Sequence, residues 1–175
     1  MKGIGYILLV LLFTSCHVIR VQTDYEKDTD FSNYSTYNYY EDMETGLSEL
    51  DEKRLVKVLD AAMQSKGLLL SEEPDFLVNI QSGIYQTPRN NTVGVGVGGT
   101  GRNVGGGVSV GIPIGQSNIQ REISFDFVDS QKDMLIWQAI SKSHLNENGT
   151  PIEREKKLKE IVGKVLSKYP PRTRK

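Results

Sequence analysis

The chain has 175 residues with 21 Lys and Arg against 22 Asp and Glu, so its formal net charge is −1 and its pI is near 6.1. This length fits one domain, and the balanced charge lacks the basic excess of a typical nucleic-acid-binding protein. One Cys and two His rule out an internal disulfide and a cysteine-based metal centre. We therefore expect no metal, cofactor or nucleic-acid partner.

The amino terminus has the features of a bacterial export signal. Lys2 precedes an apolar run from residue 4 to residue 13, about half of the roughly 20 apolar residues that a membrane-spanning helix needs. The run ends at Phe13-Thr14-Ser15-Cys16, which resembles the lipobox of bacterial lipoproteins. The resemblance implies cleavage before Cys16 and acylation of this cysteine. Simple secretion, or a buried thiol at Cys16, remains the alternative.

These features divide the chain into a signal peptide over 1–15 and one domain over 16–175, attached to a membrane through lipid on Cys16. Several acyl chains hold a protein on a bilayer almost permanently. The residue after the cysteine is His17 and not Asp, which by resemblance to lipoprotein sorting favours the outer membrane, with the domain facing the periplasm.

The mature chain begins with patterns typical of strands and one helix. Alternating apolar and polar residues predict a strand over 19–25, and the aromatic stretch 31–40 predicts a second extended segment. Apolar residues at helical spacing predict a helix over 47–66, capped by Thr45 or Ser48 and ended by Gly67.

The remaining elements complete an α+β fold. Alternation predicts a strand over 76–81 and a β-hairpin from 123–127 and 135–140, and the capping-box pair Thr150 and Glu153 opens a helix over 151–169. We expect a two-layer domain in which a mixed, mainly antiparallel sheet carries both helices on one face. A Gly/Val-rich β-hairpin insertion would extend that sheet.

The segment 92–116 is the candidate interaction surface. Ten of the 22 residues from Gly94 to Gly115 are Gly, and two stretches fit the G-x-G-x-x-G pattern of nucleotide-binding loops. No helix-forming run follows, so no nucleotide site is expected. Its alternating apolar residues fit two interpretations: a mobile insertion or frayed hairpin without a partner, and a hairpin whose glycine face binds another chain, such as an envelope protein, or a membrane surface. The candidate residues are Val93, Val95, Val97, Arg102, Val108, Val110, Ile112 and Ile114.

Aromatic residues suggest a second kind of site. Tyr34, Tyr37, Tyr39 and Trp137 are candidate contacts for a lipid or glycan held between sheet and helices, with a packed edge strand as the alternative for the tyrosines. No catalytic residue is assigned. Adjacent acids such as Glu41-Asp42 and Glu72-Glu73 are interpreted as solvated charge, and a hydrolase would need two facing acids in a cleft.

Several motifs resemble one bacterial family. They are Thr23-Asp24-Tyr25, the block from Asp30 to Tyr37 (DFSNYSTY), Gly67, Pro74-Asp75-Phe76-Leu77-Val78, and Leu135-Ile136-Trp137. Together they are similar to domain-of-unknown-function family 4136 over nearly the whole mature chain. The resemblance implies a small α/β envelope lipoprotein of Gram-negative bacteria, with no catalytic residues to transfer.

The expected function is that of a non-enzymatic structural or protein-interaction component of the outer membrane. A lipid- or glycan-binding assembly accessory is the alternative, and a hydrolase of envelope polymers is less favoured.

Overall fold

The computed structural model describes residues 19–87 and 118–172, which form one six-stranded sheet and two helices. The elements are β1 (Arg20–Tyr25), a 3-10 turn (Phe31–Asn33), β2 (Thr36–Tyr39), α1 (Glu49–Gln64), β3 (Leu69–Leu70), β4 (Phe76–Thr87), β5 (Asn118–Asp129), β6 (Met134–His144) and α2 (Pro151–Leu166). The predicted strands and helices are present, but their bounds differ. The helices end at residues 64 and 166, and the strand predicted over 76–81 extends to residue 87. The segment predicted as extended over 31–40 forms the 3-10 turn and then β2.

The sheet is mixed, with strand order β1-β6-β5-β4-β2-β3. The pairs β1–β6, β6–β5 and β5–β4 are antiparallel, whereas β2 is parallel to both β4 and β3. The predicted α+β class and mainly antiparallel mixed sheet are therefore confirmed. The Gly/Val-rich segment 92–116, with its predicted hairpin and all eight candidate contact residues, lies outside the described residues, as does Cys16.

One face of the sheet forms the core with both helices. Alternate residues of the central strands turn large apolar side chains towards the helices, as the period of two in a strand requires. The buried apolar sheet residues are Tyr37, Phe76, Val78, Ile80, Ile123, Phe125, Phe127, Ile136, Trp137 and Ala139, and the buried apolar helix residues are Leu55, Leu59, Met63, Leu158, Ile161, Val162, Val165 and Leu166. Their continuous contact makes the described chain a single two-layer domain.

The helix caps follow the sequence signals. Ser48, not Thr45, caps α1, because its side chain accepts a hydrogen bond from the Asp51 amide. The predicted capping box of α2 is present between Thr150 and Glu153. Leu50 does not join the apolar face that the spacing suggested, since 62% of its surface is exposed.

The two helices run in the same direction. Arg154 in the first turn of α2 donates to Asp51 in the first turn of α1 at 3.0 Å. At the other end, the Lys66 ammonium just after α1 donates to the Tyr169 carbonyl just after α2 at 2.9 Å. Both helix N-termini, with their positive ends of the backbone dipole, therefore lie together.

The aromatic segment differs from the expected edge strand. β2 lies between β4 and the short edge strand β3, so its backbone is paired on both sides. The hydroxyls of Tyr37 and Tyr39 both donate to Asp60 Oδ1 on α1, at 2.8 and 2.7 Å. Parallel pairing between segments far apart in sequence explains the difference, because periodicity carries no information about strand partners.

Hydrogen bonds join the motif residues at the start of β2 to Asp75, in the loop before β4. Asp75 Oδ2 accepts from the backbone amides of Ser35 and Thr36, both at 2.8 Å. Tyr34 donates its hydroxyl to Asp129 Oδ2 at 2.6 Å, and Asp129 Oδ1 accepts from the Lys132 amide in the β5–β6 turn at 2.8 Å. The two carboxylates thus connect β2 with β4 and with the hairpin.

Removing the Asp75 carboxylate is expected to weaken this connection. Burial opposes ionisation, but the hydrogen bonds from Ser35 and Thr36 hold the pKa of Asp75 below its ordinary value. Its contribution to stability is therefore complete above the unfolded-state pKa of about 4 and is lost as the pH falls through the lower folded-state pKa. Asp75→Asn should lower the free energy of unfolding at neutral pH by about 2 kcal/mol and flatten its acid dependence.

Urea denaturation between neutral and acid pH measures this effect. Glu73→Gln is the control, because Glu73 is an exposed carboxylate in the same loop. Equal pH profiles for Asp75→Asn and the unmodified chain would contradict the assigned role.

Candidate binding groove on the uncovered sheet face

The face of the sheet opposite the helices carries a groove of about 760 Å³. Its floor follows one row of residues across four strands, in which Asn38 pairs with Leu77, Leu77 with Val128, and Val128 with Leu135. The loops that follow β2 and precede β4 form its walls. The lining residues are Asn38, Tyr39, Tyr40, Glu41, Asp42, Glu72, Pro74, Leu77, Asn79, Asp126, Val128 and Leu135.

Polar side chains in the groove are held in place by neighbouring groups. Asp126 Oδ1 accepts from Gln138 Nε2 at 2.8 Å and from Ser124 Oγ at 2.9 Å. Asn38 Nδ2 donates to the Ser71 carbonyl at 2.8 Å. These bonds fix the positions of an acidic and an amide group, which reduces the entropy lost when a ligand binds.

The groove is acidic. Four carboxylates line it, from Glu41, Asp42, Glu72 and Asp126, whereas no Lys, Arg or His is among its lining residues. Sequence analysis assigned Glu41-Asp42 and Glu72-Glu73 to separate solvated turns. The structure brings three of these acids together, because the two turns lie at the same end of neighbouring strands.

Tyr40 gives the groove an aromatic group. Its backbone amide donates to the Val78 carbonyl at 3.2 Å, which extends the pairing of β2 with β4 by one residue. Burial, together with the nearby Asp133 carboxylate, raises the pKa of the Tyr40 hydroxyl. The side chain is therefore a neutral donor at neutral pH beside an apolar floor and several carboxylates.

Tyr37 and Trp137 lie in the core. Both side chains are fully buried, and the Trp137 ring packs 4.7 Å from Phe127 and 5.2 Å from Tyr169, measured between ring centroids. Neither ring is exposed, and both belong to the core between the sheet and the helices, so a ligand contact at these two residues stays a prediction.

Tyr34 and Tyr39 lie nearer the surface but do not form one site. Tyr39 lines the groove, while its hydroxyl is committed to Asp60 on the opposite side. Tyr34 lines a separate depression of about 440 Å³ and donates to Asp129. Burial and the Asp129 hydrogen bond raise the pKa of Tyr34 to about 12. The structure thus does not gather the predicted aromatic residues into one platform.

Sequence reasoning missed most of the groove. The strands β4 and β5 were predicted from the apolar residues on their buried face. Their opposite, uncovered face carries the groove residues Leu77, Asn79, Asp126 and Val128. Their alternation was visible, but the pairing of Leu77 with Val128 joins positions 51 residues apart in the numbering. Knowledge of the strand order was needed to place them side by side.

Two negative findings concern the described residues alone. Within 19–87 and 118–172, no group of three His, Cys, Asp or Glu side chains is positioned to hold a metal ion. Neither helix in that part of the chain is long and apolar enough to cross a membrane.

The described fold and groove define a two-layer α+β domain with one sheet face uncovered. A family model described as domain of unknown function DUF4136 matches residues 21–171, and the chain belongs to this family. A search of curated proteins found no match to the sequence.

Solved structures share the fold at low sequence identity. A PDZ domain protein from Parabacteroides distasonis matches with a TM-score of 0.57 and 15% identity over 88% of this chain. The match covers 36% of that protein, so this chain spans about a third of its length. A PelC dodecamer from Paraburkholderia phytofirmans matches with a TM-score of 0.50 and 8% identity, over 86% of this chain and 95% of the other.

Proposed function

We propose that this protein is a lipid-anchored, non-enzymatic binding component of a Gram-negative cell envelope, held at the periplasmic face of the outer membrane. The observation that supports a binding role is the groove on the uncovered sheet face. Both helices pack on one face only, and the other presents Leu77, Val128 and Leu135 beside four carboxylates. Concave sites with an apolar floor and a few oriented polar groups are typical of ligand binding.

The start of the described fold fits attachment close to a bilayer. Ile19 is buried, and its carbonyl accepts from the Lys164 ammonium at 2.6 Å. Cys16 precedes it by three residues, which span at most about 10 Å. Acyl chains on Cys16 would therefore hold the domain directly against the membrane, and the apolar run 4–13 would direct the export.

Replacing Cys16 tests the anchor. Expressed from the full-length gene in a Gram-negative host, the wild type should incorporate labelled palmitate and fractionate with the outer membrane. Cys16→Ala should lose the label and the fractionation with the outer membrane, because no acyl chain remains. Ser15→Ala is the matched control, since it changes a neighbouring residue and leaves the thiol. A Cys16→Ala protein that still fractionates with the outer membrane would contradict the anchor.

The groove favours a partner that presents cationic or hydroxyl groups. Its carboxylates would accept hydrogen bonds from such groups, and its floor would bury apolar surface. A basic or amphipathic segment of another envelope protein fits both properties and is the leading candidate.

A glycan is the second candidate, supported by one specific observation. An aromatic ring, two amides and a carboxylate surround the groove. They belong to Tyr40, to Asn38 and Asn79, and to Asp126. Aromatic faces pack against apolar surface while polar side chains bind hydroxyls. For this candidate Tyr40→Ala should reduce binding of purified full-length protein to isolated peptidoglycan sacculi about tenfold.

The sedimentation assay includes a matched control. Tyr85→Ala removes an exposed tyrosine from the same sheet face, outside the groove, and should leave binding unchanged. Failure of the wild type to sediment with sacculi would contradict the glycan candidate. Equal loss in the Tyr40 and Tyr85 variants would contradict the role of the groove in it.

A further inference from the structure

Three arginines surround one buried carboxylate at the end of the domain where both helices begin. Asp51 is 2% exposed, and its oxygens accept from Arg54 Nη1 at 2.7 Å and from Arg154 Nη1 at 3.0 Å. The third cation, Arg121, extends from β5 and places its Nη1 3.9 Å from Asp51 Oδ2, beyond hydrogen-bond distance. Asp51 thus neutralises one of the three positive charges.

Arg121 is the arginine of the three that forms no hydrogen bond with Asp51. Its side chain is 16% exposed, and its buried Nε atom has no hydrogen-bond partner among the described residues. Leaving a guanidinium desolvated without an acceptor costs several kcal/mol or requires a counter-ion. An unsatisfied buried donor therefore points to a group that the protein binds.

Two acidic residues in the first turns of the helices are already engaged. Glu52, in the first turn of α1, accepts from the Thr45 hydroxyl at 2.6 Å, and Glu153, in the first turn of α2, accepts from the Thr150 amide at 2.8 Å. Segments 1–18, 88–117 and 173–175 contain no Asp or Glu. No further acidic side chain in the chain is available from those segments to neutralise Arg121.

We propose that Arg121 binds a phosphate monoester or inorganic phosphate at this end of the domain, and that Arg54 and Arg154 add positive charge beside it. Three guanidiniums less the Asp51 carboxylate leave two positive charges, which match a phosphate group of about −1.5 to −2 at neutral pH. Guanidinium groups bind phosphate oxygens through paired N–H donors. All three side chains retain some exposure, at 16%, 22% and 35%, so the cluster is open to solvent.

The phosphate has two sources that share this chemistry, a soluble compound and a lipid headgroup. Arg121 pairs in the sheet with Ser143, and Lys142 beside it pairs with Arg20 at the start of β1. The cluster therefore lies at the same end of the sheet as the residues that follow Cys16. With the proposed anchor, this placement brings the arginines near the bilayer surface.

Thermal unfolding of the purified full chain in a neutral detergent tests the site. Inorganic phosphate at saturating concentration, compared with chloride at equal ionic strength, should raise the Tm of the wild type by about 5 °C or more. Arg121→Gln, which keeps part of the aliphatic stem and a polar end group but removes the charge, should abolish the rise. Arg20→Gln removes an exposed arginine outside the cluster and should retain the full rise.

Flotation distinguishes the two sources. Full-chain Cys16→Ala protein, which carries no acyl anchor, is mixed with phosphatidylcholine vesicles with or without phosphatidic acid. Flotation that requires phosphatidic acid and Arg121 assigns the site to a lipid headgroup, whereas stabilisation by inorganic phosphate without flotation assigns it to a soluble phosphate.

Other results would overturn the proposal. They are an absence of both effects in the wild type, equal effects in a folded Arg121→Gln variant, or an equal Tm rise with acetate. Far-UV circular dichroism checks that the variant is folded.

Discussion

Asp51→Ala is expected to lower the free energy of unfolding by about 3–5 kcal/mol, because removing one partner of a buried ion pair leaves the opposite charges uncompensated. Asp51 is the only described carboxylate in ion-pair distance of Arg54, Arg121 and Arg154. Burial opposes its ionisation, but hydrogen bonds from Arg54 and Arg154 hold its pKa below the ordinary value. Urea denaturation at neutral pH measures the loss.

Glu49→Ala is the control for this variant. Glu49 forms an ion pair with Lys53 at 2.6 Å in the same helix, but the two side chains are 80% and 69% exposed. Its loss should change stability by less than about 1 kcal/mol. Similar values for the Asp51 and Glu49 variants would contradict the assignment of Asp51 as the link between the two helix N-termini.

Trp137→Ala is expected to destabilise the protein by about 3–5 kcal/mol, since it removes the largest buried side chain and leaves a cavity. The cavity would lie between Phe127 and Tyr169, where rigid rings limit collapse. Trp137→Phe preserves an aromatic ring and should lose less. Far-UV circular dichroism is the suitable signal, because Trp137 is the single tryptophan of the chain.

Leu135→Ala is the control for Trp137. It lies two residues earlier on β6, is 46% exposed and lines the groove, so its truncation should cost about 1 kcal/mol or less. A Trp137→Ala protein of unchanged stability with weakened ligand binding would contradict the core assignment and favour a ligand contact.

The patterns that predicted the fold are local and strong. Ile123, Phe125 and Phe127 alternate with polar residues, and this period of two defines a strand with one buried face. Thr150, Pro151 and Glu153 define the start of α2 through cap chemistry that depends on four consecutive residues. Such signals need no knowledge of distant partners.

The pairing of distant segments was not predictable in the same way. β2 is parallel to both β3 and β4, and Tyr37 faces Leu70 on one side and Phe76 on the other. The arginine cluster has the same origin, because Arg54, Arg121 and Arg154 come from two helices and a strand. The positions of three isolated arginines in the sequence do not indicate that their side chains lie together.

The motifs that identified the family serve the scaffold. Asp30 caps the 3-10 turn through the Ser32 amide, and Asp75 binds Ser35 and Thr36. These hydrogen bonds account for Asp30, Ser32 and the aspartate after Pro74, while Phe31 packs against Tyr25 and Tyr169. The groove residues Leu77 and Leu135 belong to the motifs themselves, and the groove residue Tyr40 lies three residues after the DFSNYSTY block.

Site-specific photo-crosslinking in living cells tests the proposed binding face most directly. A photoreactive amino acid is placed at Leu135 in the groove or, as control, at Ile152 on α2, which is 80% exposed on the helical layer. The account predicts a defined crosslinked product from position 135 in the membrane fraction and none from position 152. A defined product from position 152 alone, or none from position 135, would contradict it.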